Sequence, residues 1–195
     1  MNASRTRAGA DTADRILDVA QRLVQQRGYN GFSYADVAQE LGISTAALHY
    51  HFAGKAELGE ALIERYASRF TGSLDEIETR PIDARAKLAA YAKLYGDVLR
   101  RKRMCLCGML AAEFGTLPES MREEMRHYFD ANERWLTTVL NEGKKEKVLK
   151  FSGSSVEAAR ALVGSLEVAM MIARSYGDPK RFKAVTERVL ADLGA

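Results

Sequence analysis

Residues 33–55 read SYADVAQELGISTAALHYHFAGK, and this stretch decides the fold. Ser33 stands where it caps a short helix from Tyr34 to Leu41, and Gly42 ends that helix. Ser44 caps a second short helix that reaches His51 or Phe52. Ala38 is small enough for the second helix to pack over it, and Gly42 permits the positive φ of a three-residue turn. Val37, Leu41, Ile43 and Leu48 fill the space between the helices. Together these positions spell a helix-turn-helix over about 34–53. An ordinary helical hairpin is the alternative that the pattern alone leaves open.

The second helix of such a unit enters the DNA major groove and presents its first residues to base edges. Those residues are Ser44, Thr45, Ala46 and Ala47, followed by His49. Alanine and threonine methyls suit thymine methyl groups, while His49 can donate to a base or a phosphate. Tyr50, His51 and Lys55 carry a phenol, an imidazole and an ammonium at the helix exit, the chemistry of phosphate contacts. Ser33 adds a hydroxyl and the backbone N–H groups of a helix start. Residues 1–55 hold 6 Lys/Arg and 5 Asp/Glu, so DNA affinity must come from arrangement and from two copies. Arg5 and Arg7 lie in residues 1–10, read as a flexible arm that reaches DNA or merely solubilises.

Outward from this unit the chain reads as helix throughout. Ile16, Leu17, Ala20, Leu23 and Val24 form one stripe of a helix from about Thr12 to Arg27, and Gly28 stops it. A long helix opens at Lys55 and runs to about Ile77. Five more are placed near 82–101, 104–115, 118–142, 154–176 and 179–193, with breaks at Gly115, Gly143, Gly153 and Gly177. No sustained period-2 pattern occurs, so the fold class is all-α with about nine helices. At 195 residues, 47% hydrophobic and 28% charged, the chain can bury a core unaided, and disordered and fibrous classes drop out. Two cysteines make no disulfide framework, no apolar run approaches the roughly 20 residues of a membrane span, and the N-terminus lacks a secretory h-region. A cytoplasmic protein with no membrane partner is expected.

Residues 11–71 resemble the DNA-binding domain of the TetR family of bacterial transcriptional regulators. The resemblance lies in the helix ending in RGY, then FSYADVAQELGIS, then ALHYHFAGKAEL, with Lys55 three residues after Phe52. His49 stands where many members carry tyrosine. The resemblance implies a homodimer on double-stranded operator DNA of palindromic sequence, most simply as a repressor. It also implies that residues 72–195 form a helical ligand-binding and dimerisation domain.

Two features of the second half bear on that expectation. Val156, Ala159, Val163, Leu166, Met170 and Ala173 alternate by three and four, a coiled-coil spacing, and Phe182, Val185 and Val189 add a second stripe. One domain could bury these stripes internally; the resemblance favours a dimer interface. The segment RRKRMCLCGMLAAEFGTLP, residues 100–118, resembles a subgroup with Cys-Leu-x-Gly-x-Leu in the ligand domain, some of whose members answer electrophiles or oxidants. Arg100 to Arg103 and a helix start near Met104 would favour a thiolate at Cys105, although cysteine also serves as a small buried hydrophobe. Cys105 and Cys107 are two apart and face opposite sides of a helix. Tyr91, Tyr95, Met104, Met109, Phe114, Trp135 and Met170 are candidates for an apolar effector pocket, or plain core.

With three histidines, two of them in the reading unit, no metal site and no Ser/His/Asp set can be argued, and no cofactor is expected. The leading reading is a regulator released by a small-molecule effector. The alternatives are a redox or electrophile sensor acting through Cys105 and, from another class, an all-α enzyme or interaction module.

Overall fold

The computed structural model describes residues 2–194, with side chains described for residues 11–194. Nine α-helices are present among the described residues, with no strand. They are α1 (Asn2–Arg27), α2 (Tyr34–Leu41), α3 (Thr45–His51), α4 (Lys55–Glu78), α5 (Ala84–Arg100), α6 (Leu106–Ala112), α7 (Glu119–Lys145), α8 (Ser155–Ser175) and α9 (Pro179–Asp192). A 3-10 turn, Phe114–Thr116, follows α6.

Helix α1 begins ten residues ahead of the expected start at Thr12, so the stretch read as a flexible arm is helical from Asn2. No proline interrupts that stretch, and Ala3, Ala8 and Ala10 favour helix around the single Gly9. The side chains of Arg5 and Arg7 lie outside the described residues. Helix α7 passes through Gly143, where a break was expected, and ends at Lys145. Glycine is needed there for close approach: a Cβ on Gly143 would lie 2.4 Å from Leu149 Cδ1 and 2.8 Å from Ala84 Cβ.

The chain divides into two compact units. One comprises Met1–Tyr66 with Leu106–Met125, the other Ala67–Cys105 with Arg126–Ala195. The division is interleaved, whereas the sequence suggested a single step near 71/72.

In the first unit, Ile16, Ala20, Leu23 and Val24 of α1 are buried with Val37, Leu48, Leu58, Leu62, Leu106 and Leu110. Helix α6 packs on α1. The Glu113 carboxylate fixes this arrangement by accepting from the Tyr29 amide at 2.6 Å and the Asn30 amide at 3.3 Å.

In the second unit, α8 packs along α9, and α5 lies on both. This consumes the coiled-coil seam read from the sequence. Ala159, Val163, Leu166, Met170 and Ala173 are buried within one chain, and so is Phe182 of α9. A second copy therefore cannot meet them. Of the proposed interface residues, Val156 and Val185 are exposed and Val189 is half-buried. The apolar face left open on α8 is a different one: Val168, Met171 and Ile172, with Tyr176 after the helix. Lys87 is buried in this unit, and its ammonium donates to Glu78 Oε1 at 2.5 Å and Glu142 Oε2 at 3.2 Å, joining α4, α5 and α7. Burial alone would pull its pKa down; the two carboxylates outweigh that and hold it up.

Candidate nucleic-acid interface and effector core

The reading unit is built by caps. The Ser33 hydroxyl donates to Asp36 Oδ2 at 2.5 Å and accepts from the Asp36 amide at 3.3 Å, while the Ser33 amide donates to Asp36 Oδ2 at 2.7 Å. This capping box starts α2 and holds the Asp36 carboxyl below its ordinary range, Ser33 being the main cause. Gly42 adopts φ 66°, ψ 33°, and the Ile43 amide returns to the Ala38 carbonyl at 3.0 Å. Ser44 caps α3 by accepting from the Ala47 amide at 3.2 Å. Leu48 is buried under α3, and the Tyr34 hydroxyl donates to the Phe52 carbonyl at 3.0 Å.

With Leu48 inward, α3 turns Thr45, Ala46, His49 and Tyr50 outward; Tyr50 is 87% exposed. Ser44 is exposed beside them, Ala47 and His51 are half-buried, and the His51 ring meets Tyr50 edge-on at 5.3 Å. The His49 ring lies 4.8 Å from Tyr34, and its Nδ1 is 3.1 Å from the Ala53 carbonyl. A carbonyl only accepts, so Nδ1 is the donor in this contact.

Two of the expected phosphate contacts are placed otherwise. The Ser33 hydroxyl is committed to Asp36, whose negative charge at the α2 start opposes a phosphate there. Lys55 turns inward: its ammonium donates to the Phe32 carbonyl at 2.5 Å and sits 4.4 Å over the Phe32 ring and 4.7 Å over the Tyr29 ring. Burial lowers its pKa, against the opposing pull of Glu113 and Asp36. Lys55 thus ties the start of α4 to the loop between α1 and α2.

The effector candidates divide between the units. Cys107 is buried, Met109 half-buried and Phe114 exposed in the first unit, with Phe114 under the Arg122 guanidinium at 4.9 Å. Phe114 is therefore a surface residue and not a pocket wall. In the second unit Tyr91, Tyr95, Met104, Cys105 and Met170 are buried. Tyr91 donates to Asn132 Oδ1 at 3.0 Å, its oxygen lies 3.1 Å from that of Tyr95, and its ring stacks on Trp135 at 5.7 Å. Phe70 presses edge-on against Tyr91, Tyr95 and Tyr128. Cys105 Sγ is 3.7 Å from the Tyr128 hydroxyl. Arg100, Arg101 and Lys102 are exposed, and Arg100 bonds to Asp97, so these three do not surround the buried thiol as the sequence suggested.

Sequence reasoning missed Asn132 and Glu167. Burial raises the Glu167 carboxyl to about 7, with the Cys105 thiol acting in the opposite sense. A separate cleft of about 450 Å³ opens between α5 and α9, floored by Ala92, Leu99, Phe182 and Leu190. No group of three or more metal-ligating side chains occurs among the described residues, and no described helix is long and apolar enough to cross a membrane.

The family profile of "Bacterial regulatory proteins, tetR family" matches residues 16–62, and that of "Tetracyclin repressor-like, C-terminal domain" matches residues 84–189. The chain is 24% identical over 159 residues to the HTH-type transcriptional repressor NemR of Escherichia coli strain K12, covering 78% of each chain. A TetR-family transcriptional regulator from Agrobacterium tumefaciens has a solved structure that superimposes with a TM-score of 0.93 at 33% identity. That match covers 96% of this chain and 100% of the other. The solved reduced form of Escherichia coli NemR superimposes with a TM-score of 0.80 at 22% identity, covering 92% and 95%.

Proposed function

Because the chain belongs to the tetR family of bacterial regulatory proteins, we propose that it is a repressor that binds a palindromic operator as a homodimer. On this reading it lets go when a small-molecule effector occupies the second unit. The observation that carries the reading is the exposed face of α3. Thr45, Ala46, His49 and Tyr50 stand outward on a helix locked by the Ser44 cap, the Gly42 turn and buried Leu48. Thr45 and Ala46, with Ala47 at the margin, suit base edges; Ser44, Tyr50 and His51 suit the backbone.

The first unit then serves as the reading unit and the second as the effector and dimer unit, with the protein working in the cytoplasm. The dimer face is Val168, Met171, Ile172, Tyr176 and Val185, an exposed apolar set that a second copy would cover. Helix α4 runs unbroken from Lys55 to Glu78, so an effector that shifts it changes the reach between two reading heads. Avidity is lost once both half-sites cannot be engaged together.

A gel shift with the DNA flanking the protein's own gene tests the assignment. Binding that survives Tyr50→Ala and Thr45→Asp combined would count against α3 as the reading helix.

The relative solved in a form named as reduced favours a second reading, in which modification of Cys105 is the signal. Cys105 lies among Tyr128, Tyr91 and Glu167 in the second unit, so an adduct there would disturb the same core. Cys105→Ser separates the two: it abolishes release by an electrophile and leaves release by a reversible effector intact.

A further inference from the structure

Both carboxylate oxygens of Glu167 are buried with no partner beyond the weak Cys105 thiol beside them, and the indole Nε1 of Trp135 is buried and meets none. Glu167 as a residue is half-buried: its stem reaches the surface of α8 while the acid points inward. Natural interiors pair such groups well, so a carboxylate met only by a thiol, together with an unpaired indole in the same unit, calls for an explanation.

The groups that face Glu167 are Tyr91 and Tyr95 from α5 and the Cys105 thiol before α6; Glu133 from α7 acts on Tyr91 in turn. Glu133 is itself paired with Arg160 at 3.0 Å. Among the described residues no lysine, arginine or histidine bonds to the Glu167 oxygens. The neighbours are thus aromatic rings, weak acids and no cation. Tyr91 and Trp135 stack at 5.7 Å, and Tyr91 and Tyr95 lie with their rings 5.4 Å apart.

A buried anion beside aromatic faces is satisfied by a positive charge that also donates hydrogen bonds. Resting on the reading that the second unit takes a small-molecule effector, we infer that this effector is an organic cation, a protonated amine on an apolar or aromatic body. Its ammonium pairs with Glu167, its body lies against Tyr91 and Trp135, and an acceptor on it takes the Trp135 N–H. Neutral ligands leave the charge uncompensated whenever Glu167 is ionised, and carboxylates add a second negative charge.

Trp135 is the sole tryptophan of the chain, so its emission reports on this site. Three matched probes are titrated into the full-length protein: 4-phenylbutylammonium, 4-phenylbutanol and 5-phenylpentanoate. The cation is expected to shift Trp135 emission and raise Tm, binding at least tenfold more tightly than either of the others. Glu167→Gln keeps size and polarity and is expected to lower cation affinity at least tenfold while leaving the alcohol unchanged. Because burial holds Glu167 partly protonated near neutral pH, cation binding is expected to release a fraction of a proton. Calorimetry at pH 7 in buffers of different ionisation enthalpy reads that release.

Equal affinity for the three probes, preference for the carboxylate, undiminished cation binding in the Gln variant, or no binding by any probe would each overturn the inference. A gel shift run beside these titrations separates this from the regulatory reading. Cation binding without DNA release leaves the site assigned and removes its regulatory role. Release by the neutral probe alone keeps the regulator and discards the cation.

Discussion

Lys55→Met tests whether this lysine is a clamp inside the reading unit or a hand on the DNA backbone. Methionine keeps an apolar stem of similar length and removes only the ammonium. Lost with it are the donation to the Phe32 carbonyl at 2.5 Å and the placement over the Phe32 and Tyr29 rings at 4.4 and 4.7 Å. A charge-assisted hydrogen bond contributes about 1.5–3 kcal/mol. Each partly exposed cation–π contact adds roughly 0.5–1 kcal/mol. Against these stands the desolvation that depresses the Lys55 pKa, which methionine relieves and which offsets part of the loss. The net expectation is a loss of about 2 kcal/mol. For a chain of this size that corresponds to about 4–8 °C in Tm. Scanning calorimetry of the variant reads the stability. DNA binding across a salt series reads the other possibility, since removing one phosphate contact lowers the slope of log K against log salt by about one. A slope lowered by one at unchanged Tm would refute the clamp and return Lys55 to the phosphate backbone. The expected result is the reverse: lower Tm, with the salt slope preserved wherever the variant is folded.

Met171→Glu places a charge on the exposed apolar face of α8 and is expected to give monomer by sedimentation with an intact fold; Met170→Glu, one residue away, buries an unpaired charge and is expected to unfold the second unit. A Met171→Glu dimer as tight as the parent would move the interface elsewhere. Thr45→Ala removes a hydroxyl from the exposed start of α3 and should cost about 1–3 kcal/mol only at particular base pairs, read by a binding-site selection. Ser33→Ala dismantles the α2 capping box and should destabilise the unit by about 1 kcal/mol in urea unfolding. Glu167→Gln has a signed pH dependence. The native carboxyl is raised from 4.5 to about 7, so the parent loses stability as pH rises through that window. The Gln variant is therefore expected to gain on the parent between pH 4.5 and 7, by up to roughly 3 kcal/mol, with the difference flat above. A gap constant from pH 4 to 8 would show that the carboxyl is not held up by burial.

What was legible in the sequence was local. Ser33, Gly42 and Ser44 act within three or four residues of themselves, so the bounds of α2 and the start of α3 follow from side-chain chemistry alone. What was not legible depends on distant partners. Lys55 turns inward because a carbonyl and two rings more than twenty residues upstream lie under it. The α8 periodicity marks a buried stripe correctly, but periodicity does not say whether the cover comes from α5 and α9 of one chain or from a second chain. Residues 106–125 join the first unit through Glu113, whose bonds to the Tyr29 and Asn30 amides span more than eighty residues. Glu167 did leave a signal. It sits beside Leu166 and four residues after Val163, on the margin of the buried stripe, where a carboxylate has no ordinary partner.

The electrostatics of the first unit bear on how the regulator would work. Of the six basic residues in positions 1–55, Arg22 pairs with Glu40, Arg27 lies 3.7 Å from Asp36, and Lys55 serves Phe32. Of the acids, Asp14 and Asp18 are met by Arg65 of α4. Three of the six are thus engaged within the protein, and the face of α3 itself offers phosphates hydroxyls, backbone amides and imidazoles. Such contacts position well and attract weakly, because counterion release from neutralised phosphates supplies most non-specific affinity. Operator occupancy then depends on two heads bound at once, and tethering raises overall affinity by 10²- to 10⁴-fold in typical cases. A repressor balanced this way needs no large motion to release. An effector that spoils the simultaneous fit by a small change in spacing removes the tethering gain, and operator DNA in turn weakens the effector by the same factor.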